Sequence, residues 1–430
     1  MEADWSAIPS DLLPLIGSKL VVYVDRVRFR SVSRSWRSAI IPFLRAPWLV
    51  LSESDLLEKH YAVEPRMNRN KSVPLLPRGF VCFGEQKIYE IDLPEAHERK
   101  IIGSRGTMLI TVGKDGMIHL LNPFTRIPIQ LPSVKTFSNY DTKYYKQRVR
   151  VRDDVADKII LLSSSDRDCI AMAIHGPEYQ LSFARPGDSS WTRCPTPADW
   201  VFDLVFYKEK FYAINWQGTL MVCDISDCQS SSIVMPGFEV DFEEDFDVYS
   251  VPQFESFEIG PDCDKNFYLA EWMGELLMVI KIVDKKGLSK YTWDDEEENT
   301  SSKTRRCLER MKRTEETVLY RTTGFKIYKL DFSNSNWVEL KNLGEYSLFL
   351  GRNTSVSILA SYHGGIKKNC IYFTDDWTNL ASVGDMSCGR DMGVFDVEKK
   401  DIQPHYRGTS TSIYSPPLWL IPETDDHDCP

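Results

Sequence analysis

Apolar positions recur at helical spacing only near the start of the chain. One set follows the i, i+3, i+4, i+8 spacing of a single helical face: Leu12, Leu15, Ile16 and Leu20. A second set recurs at i, i+3, i+7: Phe29, Val32 and Trp36. Ser10 suits the N-cap of the first helix, and Asp11 suits the positive end of its dipole. The spacing therefore predicts a small helical module.

From Gly79 onward the pattern changes to short apolar runs separated by Gly, Asp and Asn turns. The runs that predict strands are Phe80–Phe83, Lys87–Ile91, Met108–Val112, Met117–Asn122, Lys158–Leu162, Cys169–Ile174, Val201–Tyr207, Glu275–Val283, Phe325–Leu330, Ser355–Ala360, Cys370–Thr374 and Met392–Val397. No long helical pattern alternates with them, which argues against a parallel α/β sheet. This part of the chain is predicted to be an all-β domain.

An internal repeat favours one all-β architecture. The pattern F-Y-x-x-x-W-x-G-x-L begins at Phe211 and again at Phe267, and a degenerate third copy lies around Gly116. Each copy predicts a hairpin whose glycine supplies the positive φ of the turn. Signals of an outer strand also recur, at Trp191 and Trp337. A period near fifty residues with about four strands is typical of a kelch-like β-propeller, here of about five to seven blades.

Three clusters in the helical segment agree in order and spacing with one family. They are Trp5 with Ile8-Pro9, then Asp11-Leu12-Leu13 with Ile16 and Leu20, and finally the run 28–37. The segment resembles an F-box. It departs from the usual pattern in Ile8-Pro9, where Leu-Pro is common, and in Val32-Ser33-Arg34, where Val-Cys-Arg is common. The resemblance implies a three-helix module over residues 1–45 that binds a Skp-type adaptor.

The resemblance also implies which residues contact that adaptor: Trp5, Ile8, Pro9, Leu12, Leu13, Ile16, Leu20, Val32 and Trp36. A few apolar or aromatic side chains usually dominate a contact in which a helix lies in a groove, and this set is of that kind. The alternative is that the helices only pack on the rest of this chain.

Several stretches of the β domain resemble a single plant family. They are residues 103–132, 348–361, 369–375, 393–396 and 415–419. Together with the F-box, they resemble plant F-box proteins that carry a kelch-related C-terminal domain. The resemblance implies a non-catalytic substrate receptor of SCF-type E3 ubiquitin ligases, linked through its adaptor to a cullin-RING ligase. The propeller would bind a target protein that the resemblance does not identify.

The domain boundaries follow from composition. Residues 46–78 are broken up by prolines and predict a connector between the F-box and a propeller domain at 79–430. Acidic runs at 239–247 and 294–298, and a basic run at 305–313, interrupt the β pattern, so residues 286–316 predict a charged insertion. The acidic residues are either solvated loops or a docking surface for a basic target. The basic run either pairs with them or acts as a nuclear signal.

Overall composition limits the class of protein. An apolar content of 42% supports a packed core, and a net charge of −10 argues against general nucleic-acid binding. No uncharged apolar run reaches membrane-spanning length, and Glu2 and Asp4 precede the first apolar stretch, which is the wrong charge order for a secretion signal. The 10 cysteines are scattered and predict reduced thiols, so the expected location is the nucleus, the cytoplasm or both.

No motif for catalysis, cofactor binding or metal binding is present. The chain has no Walker loop, no G-x-S-x-G and no H-E-x-x-H, and its 7 histidines never pair at metal-ligand spacing. We therefore expect no enzyme activity and no cofactor. Two alternatives stay open: a propeller hydrolase with a site assembled from distant loops, and a propeller binding module without ligase coupling. Three tryptophans either pack between sheets or stack on a ligand: Trp216, Trp272 and Trp377.

Overall fold

The computed structural model divides the chain into two compact units, one from Met1 to Arg45 and one from Ala46 to Asp425. The structure describes residues 8–19, 29–30, 32–39, 47–51, 77–83, 87–97, 99–123, 126–138, 140, 156–162, 169–176, 178–196, 200–223, 231–235, 265–284, 321–353, 355–363, 365–375, 391–406 and 417–420. In these ranges no helix is both long and apolar enough to span a membrane. The predicted insertion at 286–316 and both acidic runs lie outside them.

The described residues of the first unit include two short helices, α1 (Leu12–Lys19) and α2 (Arg34–Ala39), and further helical residues at 29–30 and 32. Because α1 begins at Leu12, Asp11 and not the expected Ser10 directly precedes its first residue. In front of α2, Ser33 accepts a hydrogen bond from the Trp36 backbone N–H at 3.3 Å, as an N-cap does. Helices this short are unstable alone, so packing must stabilise them.

The second unit is a propeller of six β-sheets, within the predicted range of five to seven blades. The first blade contains β4 (Lys100–Arg105), β5 (Met108–Val112), β6 (Ile118–Leu121) and β7 (Pro128–Leu131), and the second contains β8 (Ala156–Leu161), β9 (Ala171–His175), β10 (Gln180–Ala184) and β11 (Thr192–Cys194). The third blade contains β12 (Val201–Tyr207), β13 (Lys210–Asn215), β14 (Leu220–Cys223) and β15 (Ser231–Met235). The fourth contains β16 (Lys265–Trp272), β17 (Glu275–Asp284), β18 (Arg321–Asp331) and β19 (Asn336–Glu339).

The last two blades depart from this simple order. The fifth contains β20 (Tyr346–Leu350), β21 (Val356–Leu359), β22 (Cys370–Phe373), β23 (Gly393–Asp396) and β24 (Asp401–Gln403), in the spatial order β21-β20-β22-β23-β24. In this blade β20 and β22 run parallel, whereas the other neighbouring strands are antiparallel. The closing blade joins the C-terminal strand β25 (Leu418–Leu420) to β1 (Trp48–Val50), β2 (Arg78–Cys82) and β3 (Lys87–Ile91).

The closing blade includes a strand from the start of the predicted connector. Trp48–Val50 lies inside 46–78, yet it is a central strand that pairs with both β25 and β2. Its side chains are buried because sheets cover both of its faces. The ring is therefore closed by strands from both ends of the domain. An ion pair between Arg352 and Asp157 joins the fifth and second blades, which stand opposite each other in the ring.

Burial explains why the inner strands read as continuous apolar runs. β5 is buried at every position, as is β9, because neighbouring blades cover both faces of the sheet. The outer strand β3 instead alternates between exposed and half-buried residues. The outer-strand signals are confirmed: Trp191 lies directly before β11, Trp337 lies in β19, and both are buried.

The repeat is confirmed as a set of hairpins, but its copies do not occupy equivalent places in the blades. Gly116, Gly218 and Gly274 all lie in hairpin turns with positive φ, at 83°, 78° and 74°. The first two turns join the second and third strands of their blades, whereas Gly274 joins the first and second strands of the fourth blade. The F-Y-x-x-x-W pattern therefore marks similar turns at non-equivalent places.

Candidate functional site

Three buried side chains form the core of the helical module. Leu13, Phe29 and Trp36 are packed together, and the rings of Phe29 and Trp36 have centroids 4.5 Å apart. Ile8 and Ala39 are partly buried against them. Burying such side chains contributes roughly 1.5–3 kcal/mol each, so this small core holds α1 to α2.

The apolar residues that remain on α1 face solvent. Leu12 is 43% exposed, Leu15 63% and Ile16 39%, and their i, i+3, i+4 spacing puts them on one side of the helix. Val32 is 50% exposed, and Pro9 is also exposed. We call Pro9, Leu12, Leu15, Ile16 and Val32 the exposed apolar face. Contiguous exposed apolar patches on a protein surface commonly mark interaction sites.

The predicted contact residues fall into three groups. Pro9, Leu12, Ile16 and Val32 lie on the exposed apolar face. Leu13 and Trp36 lie in the module core and Ile8 packs against that core, so they shape the face from behind. Trp5 and Leu20 lie outside the described residues.

Helical geometry explains this division. Each residue advances about 100° around a helix, so adjacent Leu12 and Leu13 cannot share a face. The predicted stripe of Phe29, Val32 and Trp36 is divided for a different reason: Ser33 is not helical, so the three residues do not share one helix. Phe29 and Trp36 are buried and Val32 is exposed. Leu15 was not among the predicted contacts, although its spacing from Leu12 is the signal that would have included it.

Charged and hydroxyl side chains border the face near Val32. Arg34 and Arg37 are exposed, and the Arg37 side chain donates to the Arg30 carbonyl at 3.4 Å. The Ser33 and Ser35 hydroxyls lie 2.8 Å apart. The arrangement is an apolar patch with a basic rim, which suits a partner surface that is apolar with acidic residues around it.

The propeller offers no clustered catalytic chemistry in the part of the chain that the structure describes. No group of three or more His, Cys, Asp or Glu side chains is placed to hold a metal ion among those residues. One serine–histidine pair exists: His175 Nε2 and Ser182 Oγ are 2.8 Å apart. Both residues are fully buried, so a substrate cannot reach the hydroxyl.

Burial also keeps His175 neutral. Its ring stacks on Phe137 with centroids 3.8 Å apart. Burial, helped by the positive charge of Arg193, lowers the pKa of His175 to about 3. The residue is part of the core of the second blade rather than a proton-transfer group.

This buried histidine predicts a specific pH dependence of stability. Between pH 6.5 and 3 the unfolded chain binds a proton at His175 that the folded chain does not, so stability is complete above pH 6.5 and falls as the pH is lowered. At pH 5 the loss is about 2 kcal/mol. Urea unfolding gives the free energy of unfolding at pH 7 and at pH 5, and the difference between these two values should be smaller by that amount in His175→Phe than in the unaltered protein. An unchanged difference would contradict the assignment.

The two tryptophans of the repeat are half-buried. Trp272 packs partly against the core that the fourth and fifth blades share, with its ring edge-on to Tyr346 at 6.4 Å. Trp216 is also half-buried, in the β13–β14 turn. Trp377 lies outside the described residues. Trp272 thus supports the packing interpretation over ligand stacking, whereas the half-buried Trp216 favours neither.

Comparison with known proteins agrees with both units. The F-box protein SKIP23 of Arabidopsis thaliana is 26% identical over 99% of this chain and 98% of its own length. The putative F-box protein At3g25750 of the same plant is 24% identical over 87% of this chain and 88% of its own length. A solved protein from Lactobacillus plantarum aligns over 87% of this chain at 9% identity, with a TM-score of only 0.34.

The family model that matches the propeller is that of the KIB1-4 beta-propeller, over residues 80–396. It is not a kelch model, so the expected kelch relationship is not confirmed. The match covers most of the chain, and the relatives are plant F-box proteins along nearly its whole length. The chain belongs to the KIB1-4 beta-propeller family of plant F-box proteins.

Proposed function

We propose that the protein is the substrate-recognition subunit of an SCF-type E3 ubiquitin ligase. Its helical module binds a Skp-type adaptor, and through it a cullin-RING ligase, while the propeller binds the target. The exposed apolar face of α1 supports this proposal most directly, because the module's own core is already filled by other side chains. The subunit acts by raising the local concentration of the target at the ligase and carries out no chemistry itself.

Energetics favour a partner for the exposed apolar face. Leu12, Leu15 and Ile16 lie on α1, which Leu13 anchors to the module core, so little backbone order is lost when a partner covers them. Each would contribute roughly 1.5–3 kcal/mol if fully buried. The names of the relatives support the same partner class, since they are F-box proteins.

The propeller supports the second half of the proposal. It closes its own ring and buries its own core, so it is able to present a rigid surface to a target. No cofactor is required for this role. Under this proposal the protein acts in the nucleus, the cytoplasm or both, and the described cysteines, which are buried thiols, are consistent with a reducing compartment.

Two other functions compete with this one. A propeller binding module without ligase coupling would not bind the adaptor at all. A propeller hydrolase would need an accessible nucleophile, whereas the serine–histidine pair at Ser182 is buried. Capture of a Skp-type adaptor by the purified protein separates the proposed function from both.

The exposed apolar face yields a direct test. Replacing Leu12 and Ile16 by Ala should weaken adaptor binding by on the order of 2 kcal/mol for each residue, or roughly thirty-fold in Kd. The thermal midpoint of the propeller should stay the same, because both side chains lie outside its core. Calorimetric titration with the purified adaptor measures the effect.

A matched control is available on the propeller. Ile127 is 70% exposed, so Ile127→Ala removes an equally accessible apolar side chain from another surface and should leave adaptor binding unchanged. Leu13→Ala should also weaken binding, but by unfolding the module, which loss of helical circular dichroism would report. Normal binding by the Leu12→Ala/Ile16→Ala double variant would exclude this face as the contact.

A further inference from the structure

Three turns of neighbouring blades meet on the side of the propeller where the inner strands end. They are the β12–β13 turn at Lys208, the β16–β17 turn at Gly274 and the turn after β18 at Phe332. The Tyr207 hydroxyl donates to the Gly274 carbonyl at 2.7 Å and ties the third blade to the fourth. Lys208 and Glu209 both have positive φ, at 44° and 63°, in a tight turn that ordinarily favours Asn-Gly.

Three aromatic rings at this junction form the walls of a cage. Tyr207 and Phe332 are parallel, with an interplanar angle of 7° and centroids 6.2 Å apart. Tyr212 stands across both, at 66° to Tyr207 with centroids 5.7 Å apart and at 73° to Phe332 with centroids 6.3 Å apart. Phe332 is 42% exposed, whereas Tyr212 is buried and Tyr207 is buried beneath the Lys208 side chain. A cation is attracted to the face of an aromatic ring when it lies within about 6 Å of the ring centroid, and aromatic cages bind ammonium groups in this way.

An ammonium group of the chain already lies against these rings. Lys208 Nζ is 4.9 Å from the centroid of the Tyr207 ring and 6.0 Å from that of Phe332. The Lys208 side chain is otherwise exposed to solvent. Its position shows that a cation is accommodated against these rings.

The electrostatics of the junction favour a positive charge. The pKa of Lys208 is raised, first by a hydrogen bond with the Tyr207 side chain and then by the negative charges of Glu275 and Glu271. Glu271 is exposed, and Glu275 also meets Lys329 at 3.5 Å. Ring faces and carboxylates together attract cations and disfavour anions, while the walls add apolar contact for methyl groups.

We propose that Tyr207, Tyr212 and Phe332 form a cation-binding cage that takes an ammonium or methylated ammonium side chain of a target protein, with Lys208 as the internal occupant that this group displaces. The identification of the occupant as part of a target rests on the proposed function. The cage itself does not, since it is built entirely from the third and fourth blades.

Lys208 therefore competes with the ammonium group of the target. Because Lys208 is part of the same chain as the rings, its local concentration at the cage is high. Its removal leaves the ring walls in place, because Tyr207 and Tyr212 lie on strands and Phe332 follows β18. A free cation that competes poorly against the tethered lysine should therefore bind much better once the lysine is gone.

Lys208→Ala tests this competition, with choline as the probe and its uncharged carbon analogue, 3,3-dimethylbutan-1-ol, as the matched ligand. Ligand-observed NMR on the purified full chain should show saturable choline binding that is at least tenfold tighter in Lys208→Ala than in the unaltered protein. The uncharged analogue should bind at least tenfold more weakly than choline. Adding Phe332→Leu should reverse the gain, and thermal melting confirms that each variant is folded.

Lys210→Ala is the control for charge, because Lys210 is an exposed lysine of the same turn and lies outside the three rings. It should leave choline binding unchanged. Equal binding of choline and the uncharged analogue, or no gain in folded Lys208→Ala, would overturn the cage. Neither result bears on adaptor capture, and a failed adaptor capture does not affect this titration.

Discussion

Replacement of Trp419 by Ala is expected to lower the free energy of unfolding of the propeller by about 3–5 kcal/mol, the usual cost of emptying a large aromatic site. Trp419 is the middle residue of β25 and is fully buried. Its ring contacts Phe349 with centroids 4.9 Å apart and Phe83 with centroids 5.6 Å apart. Its indole N–H donates to the Leu350 carbonyl at 2.9 Å, and without it that carbonyl would keep only the Thr374 N–H, at 3.1 Å.

The reason for so large an effect is the position of Trp419 in the ring. Among the described strands of the closing blade, β25 alone comes from the C-terminal end. Its central residue joins the fifth blade through Leu350 and the first blade through Ser104, whose hydroxyl donates to the Trp419 carbonyl. Loosening this residue therefore weakens the closure of the whole ring.

Urea unfolding followed by tryptophan fluorescence measures the loss. Trp216→Ala is the matched control, since it removes the same side chain from a half-buried turn and should cost much less. Trp419→Phe keeps most of the packing and should fall between the two. If Trp419→Ala unfolds at the same urea concentration as Trp216→Ala, the C-terminal strand does not stabilise the ring.

Strands could be predicted well from the sequence because burial on both faces of a strand produces a continuous apolar run. Val201–Tyr207 and Met108–Val112 are apolar runs with clear turns at each end, and the observed strands have the same bounds. Lys87–Ile91 was also found, although it is an outer strand, because β-branched and aromatic residues occupy its half-buried positions. Local composition was therefore enough to predict these three strands.

Pairing between distant strands could not be predicted in the same way. The residues around Trp48–Val50 do not indicate that this strand pairs with Leu418–Leu420, because the sequence of a short apolar strand does not specify which sheet edge it joins. The parallel pairing of β20 with β22 depends on the residues between them crossing the blade, which periodicity does not reveal. The repeat failed for a related reason: Gly218 and Gly274 meet the same turn requirement in different hairpins.

The helical module shows how much of a binding face can be predicted from the spacing of apolar residues. Leu12 and Ile16 were identified from the helical period and the family pattern, and they are exposed as a contact face requires. The same pattern also included Leu13 and Trp36, because a family motif records core residues and contact residues together. Only the packing separates them. The aromatic cage left no signal at all, since Tyr207 and Phe332 are far apart in sequence.

Lys158→Ala is expected to lower the free energy of unfolding by about 3–5 kcal/mol, the cost of leaving a buried charge without its partner. Lys158 pairs with Asp203, and both are almost completely buried. Asp203 also accepts backbone hydrogen bonds from Leu204 at 2.8 Å and from Leu269 at 2.7 Å. The carboxylate therefore links the inner strands of the second, third and fourth blades.

Two opposing effects act on that carboxylate. Burial raises the pKa of Asp203, while Lys158 and the two backbone N–H groups favour its charged form. Without the lysine, burial is opposed only by the backbone hydrogen bonds. The group must then either remain charged at high cost or take up a proton, and either outcome destabilises the folded ring at neutral pH.

A double-mutant cycle separates the ion pair from the packing around it. Asp203→Asn keeps an acceptor for the Leu269 N–H but removes the charge, so Lys158→Met combined with Asp203→Asn should be more stable than Lys158→Met alone. Lys329→Met breaks the exposed pair with Glu275, at 3.5 Å, and should cost less than about 1 kcal/mol. Urea unfolding at pH 7 measures all of these variants. If Lys158→Met costs no more than Lys329→Met, the buried pair does not hold the three blades together, and the backbone contacts of Asp203 alone account for their alignment.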